Sequence, residues 1–408
     1  MSIPKLRSAA RAIPWQAEVA TITDGLKIFS LKLLARYKWA ERPLALGVAI
    51  RLLVFAGGVA GRRLVHPNGF PGMLNVWLQK DAIWYTNIAS QGYFTRSGLP
   101  ITANFFPLYP LTIWIVQHVT GLFMKGDESY LAAGMVVAWV AFLVACVLLF
   151  RLVSDRFGEQ IAYLSVLLLG IFPFSLFYGV PYTESMFLVF ALMAFLGIER
   201  GNWWLAGTGA MLAGATRPTG LIVGAAVVVA YMVDLHRNPH GPRWDVLSLA
   251  LTPLGFVAFA FYCWLHFGDP LAYATASSQH WGEHFQLQGA KSYLSILHHP
   301  NVWLQSERQV ISFIYVLVAL IFLALCYPIY RLLGLSYLVF ALLSILAPIF
   351  EFTAVRSTGR YVSVIFPAFI VLAYVLQKHP VLRDMVLIGC GLLLAVAILG
   401  YVLNFGIF

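Results

Sequence analysis

Residues 130–150 read YLAAGMVVAWVAFLVACVLLF and contain no charged side chain. A helix needs about 20 mostly apolar residues to cross the hydrocarbon core of a bilayer. This run therefore predicts a membrane-spanning helix, and the Gly-rich segment 203–216 is predicted to cross as well, because its neighbours require it. The sequence thus predicts an all-α polytopic membrane protein with about eleven crossings, at 44–64, 130–150, 160–180, 185–199, 203–216, 218–235, 246–266, 309–330, 334–350, 360–377 and 384–404.

The bulk composition agrees with this class. Of the 408 residues, 60% are hydrophobic and 11% are charged, and the mean hydropathy is +0.80. Soluble domains carry about 25% charged residues, and disordered chains have low hydrophobicity, so both classes are excluded. The four cysteines lie within apolar runs and show no CxxC pairing, which argues against a disulfide framework or a zinc site.

The segment 106–124, FPLYPLTIWIVQHVTGLFM, decides the topology. If it enters the membrane without crossing, the basic loops sort onto one side, which then holds 16 of the 27 Lys and Arg residues. An excess of basic residues is typical of the cytoplasmic side. We therefore interpret the segment as a re-entrant or interfacial helix, broken near Pro107 and Pro110. This places the N-terminus inside and the C-terminus outside.

The net charge of +10 follows the same asymmetry, since much of it lies in residues 1–43. It indicates membrane orientation, not a nucleic-acid partner. Within this cytoplasmic basic segment, residues 15–42 resemble an amphipathic helix on an anionic membrane surface; an ordinary solvated tail is the alternative. Residues 44–408 are predicted to form a single transmembrane domain with long outer loops at about 65–129 and 268–308. Loops of that length tend to carry function.

The first outer loop contains KDAIWYTNIASQGYF, in which Asp81 lies between Trp77 and Trp84. A partly desolvated carboxylate at the membrane boundary can serve as a general base. Helical spacing places Tyr85 on the same face as Asp81. The alternative is an interfacial aromatic belt with an incidental acid.

A second candidate lies in PFSLFYGVPYTESMFLVF, where Glu184 falls between two apolar runs. Ionisable residues at such positions are functional hypotheses by default. Tyr182 and Thr183 beside it can bind this carboxylate or a sugar. Alternatively, Glu184 is an acid that the helix dipole favours at a helix N-terminus.

Three arginines at the ends of predicted spans are candidate phosphate ligands. Arg217 interrupts the apolar stretch GATRPTGLIVG at Pro218, and Arg356 and Arg360 lie in EFTAVRSTGRYVSVIFP. An arginine in a helix break can bind a phosphate. The alternatives are a snorkelling arginine at residue 217 and, for the other two, charges that only flank a loop.

The second outer loop contains HWGEHF, which matches the H-x-x-E-H pattern of some metalloproteases. Gly282 within it and the lack of an evident third ligand argue against a zinc site. We predict instead that His280 and Trp281 line a polar substrate mouth, with Trp281 stacking on a sugar; a packed loop is the alternative. Nucleotide-binding glycine motifs and a D-x-D acidic pair are absent. A lipid monophosphate sugar, which needs neither a metal nor another cofactor, suits this sequence better than a nucleotide sugar.

Four stretches together resemble the PIG-V family of mannosyltransferases and its prokaryotic relatives, within the GT-C superfamily. They are DAIWYTNIASQGYF, FFPLYPL, FPFSLFYGVPYTESMFLVFAL and LAGATRPTGL, and they cover roughly residues 77–225. Looser similarity continues in GDPLAYATASSQHWGEHF and GRYVSVIFPAFI. One departure is Lys80, because the family commonly has Trp there. Its positive charge favours the charged form of Asp81 and so opposes the effect expected from desolvation.

The resemblance implies a GT-C-like helix bundle that transfers mannose from polyprenyl- or dolichyl-phosphate mannose, with inversion, on the non-cytoplasmic face. It also implies a lipid-linked or glycan acceptor. Asp81 occupies the position of the family's catalytic base. The leaving phosphate then needs positive charge from Arg217, Arg356 or Arg360, while Glu184 and Tyr182 hold sugar hydroxyls or the acceptor. The membrane is the plasma membrane for a prokaryotic member and the ER membrane for a eukaryotic one. The competing classes are a transporter or flippase of lipid-linked sugars and a structural membrane subunit.

Overall fold

The computed structural model describes residues 38–96, 98–239, 243–281, 287–299, 306–351 and 357–404. The chain divides into two units, Met1–Arg42 and Pro43–Phe408, and all the sites below lie in the second. The predicted amphipathic segment 15–42 lies mostly outside the described residues. That segment and the domain limit at residue 43 stay predictions.

The regular elements in these ranges are helical, apart from one isolated bridge between Arg96 and Leu99. This confirms the predicted all-α class. The α-helices are α1 (Glu41–Val65), α2 (Asp81–Gln91), α3 (Leu108–Thr120), α4 (Asp127–Phe157), α5 (Glu159–Ile171), α6 (Glu184–Glu199), α7 (Trp203–Thr216), α8 (Gly220–Arg237), α9 (Leu254–Phe267), α10 (Ala272–Ala276), α11 (Leu287–His298), α12 (Glu307–Leu333), α13 (Leu335–Glu351), α14 (Thr358–Ser363), α15 (Phe366–Leu376) and α16 (Pro380–Val402).

Several of these helices are long and apolar enough to cross a membrane. Within the described ranges there are five: Lys38–Val65, Asp127–Phe157, Gly220–Arg237, Gln309–Leu333 and Pro380–Val402. A sixth span is possible if the 3-10 helix Trp244–Leu251 and α9, which meet at a bend of 45°, are counted together. The eleven predicted crossings therefore stay a prediction, because several of the predicted runs fold into shorter helices.

Proline explains much of this shortening, because it lacks an N–H and blocks the preceding turn of a helix. The run 160–180 is α5 followed by a 3-10 helix over Pro173–Tyr178. Pro218 follows the end of α7, and Pro367 lies in the first turn of α15. These breaks leave irregular backbone between short helices, and the candidate site is built from two of them.

The core is centred on α6, which packs against α4, α7 and α8. Its side chains Phe187, Leu188, Leu192 and Phe195 are at most 1% exposed. Such complete burial fixes the position of the first residue of α6, Glu184, relative to the neighbouring helices.

The segment 106–124 forms α3, a helix of 13 residues. At 1.5 Å per residue it is about 20 Å long, too short for a hydrocarbon core of about 30 Å. Its buried side packs on α2 and α4, whereas Leu111, Trp114 and Ile115 are exposed. The re-entrant or interfacial interpretation of this segment stays a prediction.

Candidate functional site

Four charged side chains from distant parts of the chain meet in one place, and we call them the buried cluster: Asp81, Glu184, Arg217 and Arg360. Arg360 bridges the two acids, with its Nη1 2.6 Å from Asp81 Oδ2 and its Nε 2.9 Å from Glu184 Oε1. Arg217 Nη1 lies 3.5 Å from the same Glu184 oxygen. The cluster is thus a chain of ion pairs in the order Asp81, Arg360, Glu184, Arg217.

Both acids begin a helix. Asp81 is the first residue of α2 and Glu184 is the first residue of α6. The partial positive charge of a helix N-terminus stabilises a carboxylate there. Lys80, directly before Asp81, has a positive φ of 53° and an exposed side chain. Positive φ in a non-glycine residue is strained and tends to occur at functional sites.

The two arginines lie where helices break or begin. Arg217 has extended backbone between α7 and α8, and its guanidinium carbon lies 5.0 Å from the Tyr361 ring centroid. Arg360 lies in α14 and its guanidinium carbon lies 4.5 Å from the Tyr182 ring centroid. Gly359 allows α14 to pack closely on Phe174, because a Cβ at residue 359 would lie 2.3 Å from the Phe174 ring. Aromatic faces thus support both cations.

Burial increases along the cluster from Asp81 to Glu184. The side chains of Asp81, Arg360 and Arg217 are 30%, 15% and 9% exposed, whereas Glu184 is completely buried. Among the described residues, Glu184 Oε2 and Arg217 Nη1 have no hydrogen-bond partner. Arg217 Nη1 thus makes an ion pair with Glu184 at 3.5 Å but no hydrogen bond.

A cleft with about 490 Å³ of empty space, part of it open to solvent, adjoins the cluster. Arg217 and Arg360 line it, so a ligand in the cleft meets two cations. Neither acid of the buried cluster, Asp81 or Glu184, is among the lining residues. The other lining residues are Tyr85, Asn104, Phe105, Phe106, Thr183, Thr216, Pro218, Thr219 and Tyr361.

Tyrosines hold the backbone that carries Asp81. The Tyr182 hydroxyl accepts a hydrogen bond from the Asp81 N–H (3.3 Å) and lies 3.4 Å from the Gln79 carbonyl, to which it can donate. Burial raises the pKa of Tyr182 well above its usual value, and the charge of Asp81 acts in the same direction. Burial likewise raises the pKa of Tyr85. Both phenols are therefore neutral hydrogen-bonding groups at physiological pH.

The structure brings together most of the residues that the sequence singled out. Asp81, Glu184, Arg217 and Arg360 form the cluster, Tyr182 supports it, and Tyr85 and Thr183 line the cleft. His280 is exposed, in the π-helical segment Ser277–Trp281, and does not line the cleft. Arg356, His284 and the Trp281 side chain lie outside the described residues.

Six lining residues were missed by reasoning from sequence: Asn104, Phe105, Phe106, Thr216, Thr219 and Tyr361. Tyr361 stacks on Arg217 and Thr219 lies between α7 and α8. Tyr361 is adjacent to Arg360, and Thr219 lies two residues after Arg217. This proximity to a predicted arginine is the signal by which these two could have been found. In the described ranges no group of three or more His, Cys, Asp or Glu side chains could hold a metal ion. The donor set around the cleft instead suits an anion.

Two comparisons with known proteins bear on the fold. Residues 107–264 match the family model for dolichyl-phosphate-mannose-protein mannosyltransferase; the match includes Glu184 and Arg217 but not Asp81 or Arg360. The crystal structure of ArnT from Cupriavidus metallidurans bound to undecaprenyl phosphate is similar, with a TM-score of 0.51 and 14% sequence identity over 82% of this chain. The fold resembles that of ArnT, which is a GT-C fold. The predicted GT-C-like bundle is thereby confirmed, and the chain is an integral membrane protein.

These similarities cover only part of the chains that are compared. The chain spans 60% of the ArnT chain, and the family match covers less than half of the present sequence. No curated protein matches the sequence. The resemblance to the PIG-V family within GT-C therefore stays a prediction.

Proposed function

We propose that the protein is an inverting glycosyltransferase that moves mannose from a polyprenyl- or dolichyl-phosphate donor to a hydroxyl of a lipid-linked or glycan acceptor. The observation that carries this proposal is the buried cluster beside the cleft. It combines a partly exposed carboxylate, Asp81, with two arginines that line the cleft, one of which pairs with Asp81. A transfer from a phosphate leaving group needs both kinds of residue.

In this proposal the carboxylate of Asp81 acts as the general base. In the proposed step, the acceptor oxygen attacks the anomeric carbon of the donor and the bond between that carbon and the phosphate oxygen breaks. The acceptor proton passes to Asp81, and the lipid phosphate leaves as an anion. General-base assistance of this kind contributes about 10²–10⁴ in rate. Asp81 is the more exposed acid of the pair, at 30% against 0% for Glu184, which supports its assignment as the base.

The arginines stabilise the leaving group. Negative charge grows on the phosphate as the bond breaks, and fixed positive groups lower the energy of that transition state. Arg217 and Arg360 both line the cleft. Arg356 stays a predicted third phosphate ligand. A monophosphate held by arginines requires no metal, in keeping with the lack of a D-x-D pair in the sequence.

Glu184 is better suited to positioning the arginines than to contacting a sugar. Its carboxylate is completely buried and pairs with both Arg217 and Arg360. It thereby offsets part of the repulsion between two adjacent cations. Tyr85 and Thr183, which line the cleft, are the proposed contacts for the sugar or the acceptor.

The names of the similar proteins support the choice of donor. The matching family is described by dolichyl-phosphate mannose, and the ArnT structure contains undecaprenyl phosphate. A site on the non-cytoplasmic face is proposed from the sorting of the basic loops. The plasma membrane of a prokaryote or the ER membrane is the proposed location.

Purified protein in lipid nanodiscs, supplied with isotopically labelled polyprenyl-phosphate mannose and a panel of glycolipid acceptors, tests the proposal. We expect release of polyprenyl phosphate and labelled product with the inverted anomeric configuration. GDP-mannose serves as the control donor and should not react. Consumption of GDP-mannose alone, or of neither donor, would contradict the proposal. In proteoliposomes, movement of intact donor without its consumption would favour the flippase alternative.

A further inference from the structure

The backbone directly before Asp81 is strained. Lys80 has a φ of 53° and a ψ of −122°, a combination that residues with a side chain rarely adopt. Its side chain is exposed, so packing of that side chain does not hold the conformation. Strained backbone of this kind persists only where its surroundings fix it. Contacts with the peptide groups on either side of Lys80 are therefore needed to keep Asp81 in its place.

Two tyrosine hydroxyls supply these contacts. Tyr182 accepts a hydrogen bond from the Asp81 N–H, after the strained residue, and lies 3.4 Å from the Gln79 carbonyl, before it. Tyr401, in the last turn of α16, has its hydroxyl 3.3 Å from the same Gln79 carbonyl and 3.2 Å from the Trp77 carbonyl. A phenol has a single proton to donate, so Tyr401 shares it between these two carbonyls.

The Tyr401 side chain is itself held firmly by aromatic packing. It is 2% exposed. Its ring is stacked with that of Trp77, with centroids 6.2 Å apart, and meets the Phe177 ring edge-on at 6.0 Å. Closely packed rings of this kind leave a side chain one conformation. The position of the Tyr401 hydroxyl is therefore fixed relative to residues 77–79.

The end of α16 that carries Tyr401 is attached to α1. Gly58 of α1 permits close packing, because a Cβ there would lie 2.3 Å from the Trp77 ring and 3.2 Å from Val402. Arg62 Nη1 donates to the Val402 carbonyl at 3.2 Å. Both helices are among the candidate membrane spans. Tyr401 thus connects the segment before Asp81 to two long helices of the bundle.

We propose that Tyr401 is a positioning residue, which keeps the Asp81 carboxylate in reach of the acceptor hydroxyl by fixing the strained backbone at residues 77–81. The proposal rests on the proposed function, in which Asp81 is the general base. Tyr401 is not among the residues that line the cleft, so it acts through the backbone and not on the substrate. Loss of its hydroxyl should impair proton transfer and leave phosphate binding intact.

The kinetic test uses Tyr401→Phe, which keeps the ring and its stacking and removes only the hydroxyl. We expect kcat for sugar transfer to fall about 10–100-fold, since small displacements of a reacting group are costly, while the Kd for polyprenyl phosphate stays within about twofold. In an Asp81→Asn background the same change should lower kcat no further, because no base is left to position. A merely structural role would lower kcat by the same factor in both backgrounds.

Tyr337→Phe is the matched control. Tyr337 is also 2% exposed, and its hydroxyl donates to Glu199, at the other end of α6, at 2.8 Å. The variant loses a hydrogen bond of a buried phenol far along the chain from Asp81 and should keep the wild-type kcat. A fall in kcat equal to that of Tyr401→Phe would overturn the positioning role.

Hydrogen exchange in nanodiscs, followed by mass spectrometry, tests the contact without any activity. Amides of residues 77–83 should exchange faster in Tyr401→Phe than in the wild type or Tyr337→Phe, because local opening becomes easier. Equal exchange would overturn the proposal. If the wild type transferred mannose and Tyr401→Phe kept its kcat, the positioning role would fail and the transferase proposal would stand. A wild type that transferred no mannose from any lipid-phosphate donor would overturn the transferase proposal, and with it the catalytic purpose of the contact.

Discussion

Helix α6 carries a glutamate at each end, and the two behave very differently. Glu184, its first residue, is completely buried and lies 2.9 Å from Arg360 Nε. Glu199, its last residue, is 34% exposed and lies 3.4 Å from Arg156 Nη1. Around Glu199 are further ion pairs, which with it we call the exposed pairs: Arg156–Glu199, Arg151–Asp155 and Arg200–Asp155.

The difference lies in burial, not in residue type or distance. The distances in the exposed pairs are 3.1–3.7 Å, close to those of the buried cluster, but every side chain is at least 34% exposed. Exposed ion pairs contribute about 0–1 kcal/mol and are screened by salt. Buried charges interact strongly and cannot be left unpaired without cost. We therefore expect chemistry at one end of α6 and only weak stabilisation at the other.

The largest expected effect follows from Asp81→Asn. The variant keeps an oxygen that can accept from Arg360 but cannot take the acceptor proton. We expect kcat for sugar transfer to fall by about 10²–10⁴, measured with labelled lipid-phosphate donor. Asp155→Asn in the exposed pairs is the matched control and should retain the wild-type rate. If Asp81→Asn transferred sugar at the wild-type rate, the expected functional difference between the two ends of α6 would be contradicted.

The next effect is on stability. Glu184→Gln leaves two buried arginines with a single acid, and we expect it to cost about 3 kcal/mol of unfolding free energy. Glu199→Gln, the same change at the exposed end, should cost less than about 1 kcal/mol. Thermal or denaturant unfolding in matched nanodiscs measures both. Equal losses for the two variants would show that burial does not govern these pairs.

Arginines of the buried cluster and of the exposed pairs should differ in their effect on the affinity for the donor. Arg217→Gln removes a charge-assisted hydrogen bond to the phosphate, and we expect the Kd for polyprenyl phosphate to rise about 10–100-fold. Arg200→Gln should leave that Kd within about twofold of the wild type, as expected of an exposed ion-pair residue. Titration calorimetry or native mass spectrometry gives the values. An unchanged Kd in Arg217→Gln would assign the phosphate to another site.

The smallest effect is a pH dependence seen only at alkaline pH. Burial raises the pKa of Tyr182 in the folded protein, whereas in the unfolded chain it is about 10. Below pH 10 both states are protonated, so Tyr182 adds no pH dependence to stability. Above it, the unfolded chain loses the proton first and stability falls by up to about 1.4 kcal/mol per pH unit. The unfolding free energy of Tyr182→Phe should fall less steeply at alkaline pH than that of the wild type. Parallel curves of unfolding free energy against pH for the two proteins would contradict the raised pKa of Tyr182.

The sequence allowed the all-helical membrane fold to be predicted, because apolar runs of about 20 residues leave few other structures. It also identified the members of the cluster, since a charged residue between apolar runs is rare enough to notice. It could not show that Asp81 and Arg360 are in contact, because 279 residues separate them and only packing brings them together. Nor could it single out Tyr401, whose contacts with the Trp77 and Gln79 carbonyls are visible only in three dimensions.

The number of membrane crossings was harder to predict from the sequence than the helical class. Hydropathy detects apolar composition, but proline and irregular backbone divide several of these runs into helices of 16 residues or fewer, such as α5, α6 and α7. Such backbone is tolerated at membrane depth where protein surrounds it. Arg217, a member of the buried cluster, lies in one of these interruptions, directly after α7.

The most direct test of the central claim is a structure of the protein with a non-transferable phosphonate analogue of polyprenyl-phosphate mannose. The account predicts the phosphonate oxygens within hydrogen-bond distance of Arg217 and Arg360, and the anomeric carbon on the side of the cleft nearest Asp81. A phosphonate bound away from both arginines, or a sugar with no open path to Asp81, would contradict it.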